Sequence, residues 1–427
     1  MIFIIITIAL SLLALGFEMF VVLGVPAIIV KETFFSGIPD IVIIQKMVGG
    51  INHSTLLAIP FFIIAAEVMS SGEIAKRLTN FIKACFGHLT GGLGHTTIGS
   101  AMAFGSVSGS AAATVAAIGK LMYPDLRSVG YKEKFSLGLI VSSAETAILI
   151  PPSITMIIYG WMTGTSITAL FAGGLAVGVF LGLAFAGLVM FESYRYNVGS
   201  NPPRKKGEFL IKLKDARWAL GMPVIILGGI YSGFFTPTEA AAISVIYALL
   251  VESMIYKNLN WSNFFNVIER GAISSAVIFI LLAMGSVLSF FITIIQIPDM
   301  LKDYLLSIDA GMITFLLAVN ISFFLAGMFI DPNSALLILV PPLFPVAISL
   351  GIDPIHFGLI VTLNIGIGMI TPPFGLDIFV ASSTLNKPVL TIINGIWPFL
   401  LVNLFVLFIV TYVPEVSTFL PNLIINK

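Results

Sequence analysis

Ten long apolar stretches fill most of this 427-residue chain, and this pattern limits its fold more than any other feature. Only 10% of the residues are charged, against about 25% in soluble domains, so a soluble fold would lack charged side chains to cover its surface. A helix of about 20 apolar residues crosses a bilayer core about 30 Å thick. We therefore predict an all-α polytopic membrane protein. The apolar stretches are 1–30, 53–70, 92–119, 137–160, 168–191, 219–256, 271–297, 309–350, 357–382 and 389–413.

Several other classes of protein are excluded by charge and cysteine content. The formal net charge is +0, so no electrostatic field attracts nucleic acid. The single cysteine, Cys85, excludes an internal disulfide framework. The segment from Met1 to Leu15 lacks the basic start of a signal peptide, and we predict that it is the first membrane span. The long unbroken apolar runs are also unlike the short alternating segments of a membrane β-barrel.

The two halves of the chain share short motifs in the same order. Four matches at a nearly constant spacing of 220 to 221 residues are far rarer by chance than one match. We therefore predict an internal duplication. The motifs are Tyr123-Pro124, Gly130, Gly138-Leu139-Ile140-Val141 and Pro151-Pro152 in the first half, and Phe344-Pro345, Gly351, Gly358-Leu359-Ile360-Val361 and Pro372-Pro373 in the second.

A basic segment at the midpoint of the chain, Glu192 to Arg217, is the predicted boundary between the two repeats. Loops rich in Lys and Arg stay in the cytoplasm, so repeats with an odd number of crossings are inverted and both termini are periplasmic. Parallel repeats with an even number of crossings are the alternative. The predicted organisation is a first repeat at 1–200, a basic cytoplasmic linker at 201–217 and a second repeat at 218–427, with hairpins near 92–120 and 309–350 and broken helices at 137–160 and 357–382.

Each half carries two polar or proline-rich interruptions within apolar sequence. Such backbone persists at membrane depth only where it is buried in protein or lines a wet cavity, and matched interruptions in duplicated halves indicate a transporter binding site. Proline pairs remove N–H donors and free nearby carbonyl groups. Hydroxyl, amide and carbonyl oxygens suit a hard cation such as sodium, while helix N-termini favour an anionic substrate such as a carboxylate. The candidate oxygen donors are the side chains of Ser106, Ser108, Ser110, Asp331, Asn333 and Asn364 and the carbonyls of Ile150, Pro151, Ile370 and Thr371.

Purely structural interpretations of these features also stand. Gly105 and Gly109, followed by alanines, are typical of close helix packing, and proline pairs can simply kink a helix. Acids in apolar sequence are costly in a membrane and are usually functional or paired. Asp331 is the first functional candidate among them and Glu145 the second, whereas Glu239 resembles a helix start. The acids in question are Glu18, Glu67, Glu145, Glu239, Asp331 and Asp377.

Two amphipathic segments, Gly72–Gly87 and Asp299–Asp303, are predicted to lie along the membrane surface and brace the repeats. Cys85 falls on the first of these and His88 directly after it, and both are interpreted as part of an exposed surface. The histidines show no metal-ligand spacing, so we expect neither a transition metal nor an organic cofactor.

Four motifs in order resemble the large membrane subunit of tripartite ATP-independent periplasmic (TRAP) transporters across essentially the whole chain. The resemblance implies a bacterial inner-membrane protein that imports carboxylates such as C4-dicarboxylates or sialic acids, driven by sodium. It further implies a periplasmic binding protein, a small four-helix membrane subunit, and an elevator-type fold similar to divalent-anion–sodium symporters. The motifs are Gly105-Ser106-Val107-Ser108-Gly109-Ser110, Ile150-Pro151-Pro152-Ser153, Thr236-Pro237-Thr238-Glu239-Ala240 and Thr371-Pro372-Pro373-Phe374-Gly375.

The resemblance also assigns roles to individual residues, with at least two sodium ions between hairpin tips and unwound partners. The first tip is Gly105–Ser110 and faces Ala147–Pro152; the second is Gly327–Asn333 and faces Asn364–Thr371. The implied sodium-binding residues are Ser108, Ser110, Ala147, Ile150, Pro152, Gly327, Asp331, Asn333, Asn364 and Thr371. The implied substrate-binding residues are Ser106, Ser108, Ser153, Asn333 and Pro373.

Three rival functions remain at this level. A stand-alone sodium- or proton-coupled carboxylate symporter would need no binding protein. An intramembrane hydrolase would need paired acids or a nucleophile beside a histidine, and Asp331 and Asp377 lack the motif of such enzymes. A non-transporting scaffold is the third. An ATP-driven pump is disfavoured because the chain has no phosphate-binding Gly-x4-Gly-Lys-Ser/Thr loop. We therefore expect a transporter and not an enzyme.

Overall fold

The computed structural model describes residues 1–70, 73–198 and 207–425, and within these ranges the chain forms helices and no strands. This confirms the all-α prediction. Seven helices of the described residues are long and apolar enough to cross a membrane, or eight if one pair bent by 57° is taken as a single span. Helices dominate because lipid offers no hydrogen bonds, so each segment must satisfy its own backbone groups.

The helices follow one another with short connections. Two further short turns are a 3-10 turn at Ser54–Leu57 and a π-helical turn at Val251–Ile255. The helices are α1 (Ile2–Ala14), α2 (Met19–Phe34), α3 (Asp40–Ile51), α4 (Ala58–Ser70), α5 (Ile74–Phe86), α6 (Gly92–Ser108), α7 (Ala111–Ser128), α8 (Glu133–Ala144), α9 (Thr146–Leu149), α10 (Ile154–Thr163), α11 (Ile167–Tyr196), α12 (Glu208–Tyr231), α13 (Pro237–Leu250), α14 (Trp261–Ile294), α15 (Ile297–Ser307), α16 (Met312–Phe329), α17 (Pro332–Ser349), α18 (Pro354–Met369), α19 (Leu376–Leu385), α20 (Val389–Tyr412) and α21 (Pro414–Ile425).

The segment predicted to be the first membrane span, Met1 to Leu15, forms the helix α1, and a second helix follows it within the same apolar stretch. The apolar residues 1–30 form two helices, α1 and α2, which turn at Gly16 and pack against each other. Gly16 adopts a φ of +78°, a left-handed conformation that glycine reaches without steric cost. With 13 residues, α1 is about 20 Å long, shorter than a bilayer core about 30 Å thick.

The same order of elements occurs in each half of the chain. A hairpin, α6–α7, precedes a broken helix, α8–α9–α10, in the first half. A second hairpin, α16–α17, precedes the broken helix α18–α19 in the second half. Both proline pairs lie at the breaks and both have a cis peptide bond. The inverted orientation of the halves stays a prediction.

Close glycine contacts hold the first broken helix against α20. A Cβ on Gly138 would lie 2.0 Å from the carbonyl oxygen of Gly395, and one on Gly395 would lie 1.9 Å from the carbonyl oxygen of Lys134. The absence of both side chains lets the two backbones touch. This contact packs α20 directly against α8.

The amphipathic segment near the first hairpin is the helix α5, as predicted, except that Gly72 lies outside the described residues. Arg77 on α5 forms an ion pair with Asp215 on α12. Lys83 on α5 pairs with Asp125 on α7 at 2.5 Å. The other predicted surface segment, Asp299–Asp303, falls within α15. Residues 201–206 of the predicted basic linker lie outside the described part of the chain, and the remainder of the linker enters α12.

Candidate functional site

The two hairpin tips are tighter than the polar segments that predicted them. Helix α6 continues through Ser108, so that only Gly109 and Ser110 leave the helix before α7 begins. Gly109 has a φ of +59°, and Ser110 caps α7 by accepting a hydrogen bond from the Ala113 N–H at 3.3 Å. At the second tip only Ile330 and Asp331 are outside the helices. Helix α6 continues through these serines because its backbone groups hydrogen-bond to one another within the helix. The serine hydroxyls could replace few of those backbone hydrogen bonds.

The first hairpin tip packs directly against the first break. A Cβ on Gly105 would lie 2.6 Å from the Cα of Ala147, and one on Gly109 would lie 2.4 Å from the carbonyl oxygen of Pro152. The residue between them on the break, Ile150, has an extended backbone with ψ of 124°. The structure therefore brings the first tip and its predicted partner together.

The second tip contacts the second break in a similar way. A Cβ on Gly327 would lie 3.0 Å from the Cα of Gly368 and 3.2 Å from the carbonyl oxygen of Ile365. The carbonyl of Thr371, predicted to be free, accepts a hydrogen bond from the Gly375 N–H at 3.1 Å. The Thr371 hydroxyl donates to the carbonyl of Ile367 at 2.6 Å. Thr371 is thus partly occupied by bonds within its own break.

One cavity of about 280 Å³ lies where the two tips meet. The tips contribute Ser108 to Ala113 from the first hairpin and Asp331 to Asn333 from the second. Helices α4 and α14 close the opposite wall, and Ile148, Met369 and Leu376 come from beside the breaks. Its volume is slightly below the range of about 300–1,000 Å³ that is usual for ligand pockets, which favours a small ligand.

The predicted residues divide into those that line this cavity and those that lie behind it. Ser108, Ser110, Asp331 and Asn333 line it. Ser106 does not line it. Its hydroxyl donates a hydrogen bond to the carbonyl of Ala103, on its own helix, at 2.7 Å. Those away from the cavity lining are Ser106, Ala147, Ile150, Pro152, Ser153, Gly327, Asn364, Thr371 and Pro373.

Two helix N-termini open onto the cavity. Helix α7 begins at Ala111 and α17 at Pro332, and Ala111, Ala112, Ala113 and Asn333 are part of the lining. The first N–H groups of a helix lack partners within it and carry partial positive charge, so those of Ala111 and Ala112 at the start of α7 attract anions. At the start of α17, by contrast, Pro332 has no N–H, and the N–H groups of Asn333 and Ser334 donate to Asp331. Lysine and arginine are missing from the lining that the described residues form. An anion in this cavity would therefore be held by N–H groups and hydroxyls.

Asp331 introduces a negative charge at the second tip. Its carboxylate accepts hydrogen bonds from the N–H of Asn333 at 3.1 Å and of Ser334 at 3.2 Å, and also from the Ser334 hydroxyl. These bonds cap α17 and account for part of the carboxylate's hydrogen-bonding capacity. A cation beside Asp331 would let an anion occupy the same cavity without repulsion.

Two other acids, Glu145 and Asp377, are fully buried near the breaks. Glu145 accepts one hydrogen bond, from the Asn403 amide at 2.8 Å, and its side chain packs against Gly366. Neither carboxylate oxygen of Asp377 has a hydrogen-bond partner among the described residues. Both acids lie outside the cavity lining. Glu239, by contrast, forms a capping box with Thr236, as its sequence context predicts.

Substituting Glu145 tests the role of its hydrogen bond in stability. Glu145→Gln keeps an oxygen that can accept from Asn403, whereas Glu145→Leu leaves that buried amide without an acceptor, at a cost of about 1–3 kcal/mol. We expect the leucine variant to unfold at a lower temperature than the glutamine variant. Thermal unfolding in detergent measures this, and because both variants are neutral the difference does not include a change of charge. Equal midpoints would contradict the structural role of the Asn403 bond.

Some residues that line the cavity were not predicted from the sequence to belong to the site. Glu67, named from the sequence only as one of several acids in apolar segments, lines the cavity from α4 and lies 3.4 Å from the Arg270 guanidinium on α14. Ser70 and Ser274 also line it. No local signal marks these positions, because they reach the cavity only through the packing of α4 against α14.

The chain is similar to known transporter components along most of its length. The family model described as "Tripartite ATP-independent periplasmic transporter, DctM component" matches residues 4–416. The ectoine TRAP transporter large permease protein TeaC of Halomonas elongata is 39% identical over 414 residues, covering 97% of each chain. The C4-dicarboxylate large permease protein DctM of Pseudomonas aeruginosa is 40% identical, covering 87% of each chain. The sialic acid large permease protein SiaM of Vibrio cholerae is 38% identical, covering 90% of each chain.

Among solved structures, the YdaH transporter of Alcanivorax borkumensis is similar in fold. The TM-score is 0.59 at 13% sequence identity, and the alignment covers 86% of each chain. At this identity the similarity concerns the fold alone.

Proposed function

The chain belongs to the family of large permease components of TRAP transporters, and from this membership we propose that it carries a small organic carboxylate into the cell together with sodium. The protein is a multi-pass membrane permease of a bacterial family, and its relatives are named as transporters rather than enzymes. The substrates in the names of those relatives differ, including ectoine, C4-dicarboxylates, sialic acid and isethionate.

The cavity between the two tips is the observation that supports this proposal. The N-terminus of α7 and the serine hydroxyls of the first tip suit a carboxylate, and Asp331 at the second tip suits a cation. A sodium ion beside Asp331 would reduce the repulsion between that carboxylate and the substrate carboxylate. The bound substrate would in turn add negative charge that attracts the sodium ion. This mutual dependence is what coupled transport requires, since each ligand must raise the affinity for the other.

The proposed sodium ligands are grouped at the two tip–break contacts. At the first contact they are Ser108, Ser110 and the backbone of Ala147, Ile150 and Pro152. At the second contact they are Gly327, Asp331, Asn333, Asn364 and Thr371. The substrate carboxylate would lie between them, where Ser108 and Asn333 line the cavity; Ser106, Ser153 and Pro373 lie outside that lining and would need a rearrangement to reach it.

The remaining parts of the proposal concern the transport machinery. The protein would reside in the bacterial inner membrane with both termini in the periplasm, in complex with a small four-helix subunit. A periplasmic binding protein would deliver the substrate. The two hairpins and two broken helices would move as one body against α4 and α14, which form the opposite cavity wall, in an elevator motion.

Uptake by proteoliposomes tests the proposal. Vesicles containing this chain and its small subunit are given labelled ectoine, C4-dicarboxylates or sialic acid, while the sodium gradient and the binding protein are varied separately. We expect accumulation only when both are present. Uptake without the binding protein would instead support a stand-alone symporter, and uptake unaffected by removal of the sodium gradient would contradict sodium coupling.

A further inference from the structure

Asn364 is a fully buried amide whose orientation is determined by its neighbours. Its Nδ2 donates to the Oδ1 of Asn320 at 2.7 Å and to the carbonyl oxygen of Ile360 at 2.9 Å. The amide group has two N–H donors, so both are engaged. Its Oδ1 has no hydrogen-bond partner among the described residues.

The opposite amide orientation of Asn364 would be unfavourable. Turning the amide over would direct Oδ1 at the carbonyl oxygen of Ile360, and two acceptors would then face each other. The Oδ1 of Asn364 is therefore a buried acceptor, and none of the described residues donates a hydrogen bond to it. A buried acceptor without a partner is costly, and a bound cation would remove that cost.

Asn320 holds Asn364 in this orientation and is itself held by a third residue. The Nδ2 of Asn320 donates to the hydroxyl oxygen of Thr411 at 3.0 Å, which leaves the Oδ1 of Asn320 facing Asn364. The three residues come from different helices: Thr411 from α20, Asn320 from α16 and Asn364 from α18. A continuous chain of hydrogen bonds thus crosses from α20, through the first helix of the second hairpin, to the broken helix.

The same pair of helices also forms the contact at the second tip. Asn320 precedes Gly327 on α16 by two turns, and Gly327 packs against Ile365 and Gly368 on α18. A displacement of α16 relative to α18 would separate Gly327 from the break and would also break the bond between Asn320 and Asn364.

We propose that Asn320 is a positioning residue for the sodium site at the second break: it orients the Asn364 amide so that its oxygen faces the ion. Because Asn320 lies on the hairpin, this sodium site is complete only while the hairpin stays packed against the broken helix, as it would when both move as one body. This inference rests on the proposed sodium coupling, with Asn364 as a ligand. Asn320 itself does not touch the ion.

Sodium-dependent thermal stabilisation of the purified complex with the small subunit tests the proposal. Sodium is titrated against choline at constant ionic strength, and the half-saturating sodium concentration is obtained from the rise in unfolding temperature. We expect Asn320→Ala to raise that concentration about 3- to 10-fold, the effect of losing about one hydrogen bond. Ser322→Ala is the control on the same helix; its exposed hydroxyl bonds only to the carbonyl of Ala318, and it should leave the sodium dependence unchanged.

A double-mutant cycle separates positioning from general damage to the structure. In an Asn364→Leu background the ligand is already absent, so Asn320→Ala should cause no further rise in half-saturating sodium. If Asn320→Ala folds poorly, Thr411→Val weakens the same chain from its other end and should cause a smaller rise. An unchanged sodium dependence in these variants, or an equal effect of Asn320→Ala in both backgrounds, would overturn the positioning role. A wild-type complex without any sodium stabilisation would instead overturn the sodium coupling on which the inference rests.

Discussion

Asp331→Ala should reduce sodium-driven uptake by at least about tenfold. The substitution removes the only carboxylate that either hairpin tip contributes to the described cavity lining, and it removes the cap of α17. Loss of a charged partner costs about 1.5–3 kcal/mol, which corresponds to a tenfold or larger change in an equilibrium constant. Initial rates of uptake at several sodium concentrations measure the effect, and the half-saturating sodium concentration should rise with the loss of rate.

The chain offers a matched control for this substitution in Asp353. Like Asp331, it precedes a proline and caps a helix, accepting hydrogen bonds from the N–H groups of Ile355 at 2.8 Å and His356 at 3.0 Å. Asp353→Ala should cost about 0.5–2 kcal/mol of stability and leave the sodium dependence unchanged. Asp331→Asn provides the converse control, since asparagine caps helices as well as aspartate does but carries no charge. Normal uptake by Asp331→Ala would remove Asp331 from the proposed cation site.

Gly109→Ala should abolish most transport while the protein still inserts in the membrane. The added Cβ would lie 2.4 Å from the carbonyl oxygen of Pro152, far inside van der Waals contact, so the tip and the break must separate. The carbonyl of Pro152 is also one of the proposed sodium ligands, and its displacement would disturb the first ion site. Uptake and the unfolding temperature are measured together, and both should fall.

A second glycine separates the effect of the contact from that of the backbone. Gly164 has a φ of +70°, close to the +59° of Gly109, but a Cβ there would meet no atom within 4 Å. Gly164→Ala therefore pays only the cost of a left-handed alanine, about 1–2 kcal/mol. We expect it to transport normally. If both variants lost transport equally, the tip–break contact would not be the cause.

The sequence predicted those elements whose causes are local. Proline pairs interrupt helices because they lack N–H donors, and the two breaks occur where Pro151-Pro152 and Pro372-Pro373 predict them. The capping box at Thr236 and Glu239 is likewise a property of four adjacent residues. Hydropathy alone did not show that α1 is shorter than a bilayer core, because apolar sequence continues past the turn at Gly16 into α2.

The residues that act through tertiary contacts could not be predicted in the same way. Glu67 reaches the cavity only because α4 packs against α14, and Asn320 is a single amide within an apolar helix. Ser106 shows the opposite error: it belongs to the polar segment of the first tip, but its hydroxyl turns inward to its own helix. A polar residue in a motif identifies the region of a site, whereas the rotation of the helix decides which side chains face the ligand.

The cavity wall is built from two sources, and this division has a consequence for how substrate preference can diversify. The hairpin tips carry the candidate ion ligands, while Ile63, Ala66, Ser274 and Ile278 on α4 and α14 form part of the opposite wall. A substitution on that wall changes the shape offered to the substrate without replacing an ion ligand. Related permeases could thus come to bind different substrates while keeping the same candidate ion ligands.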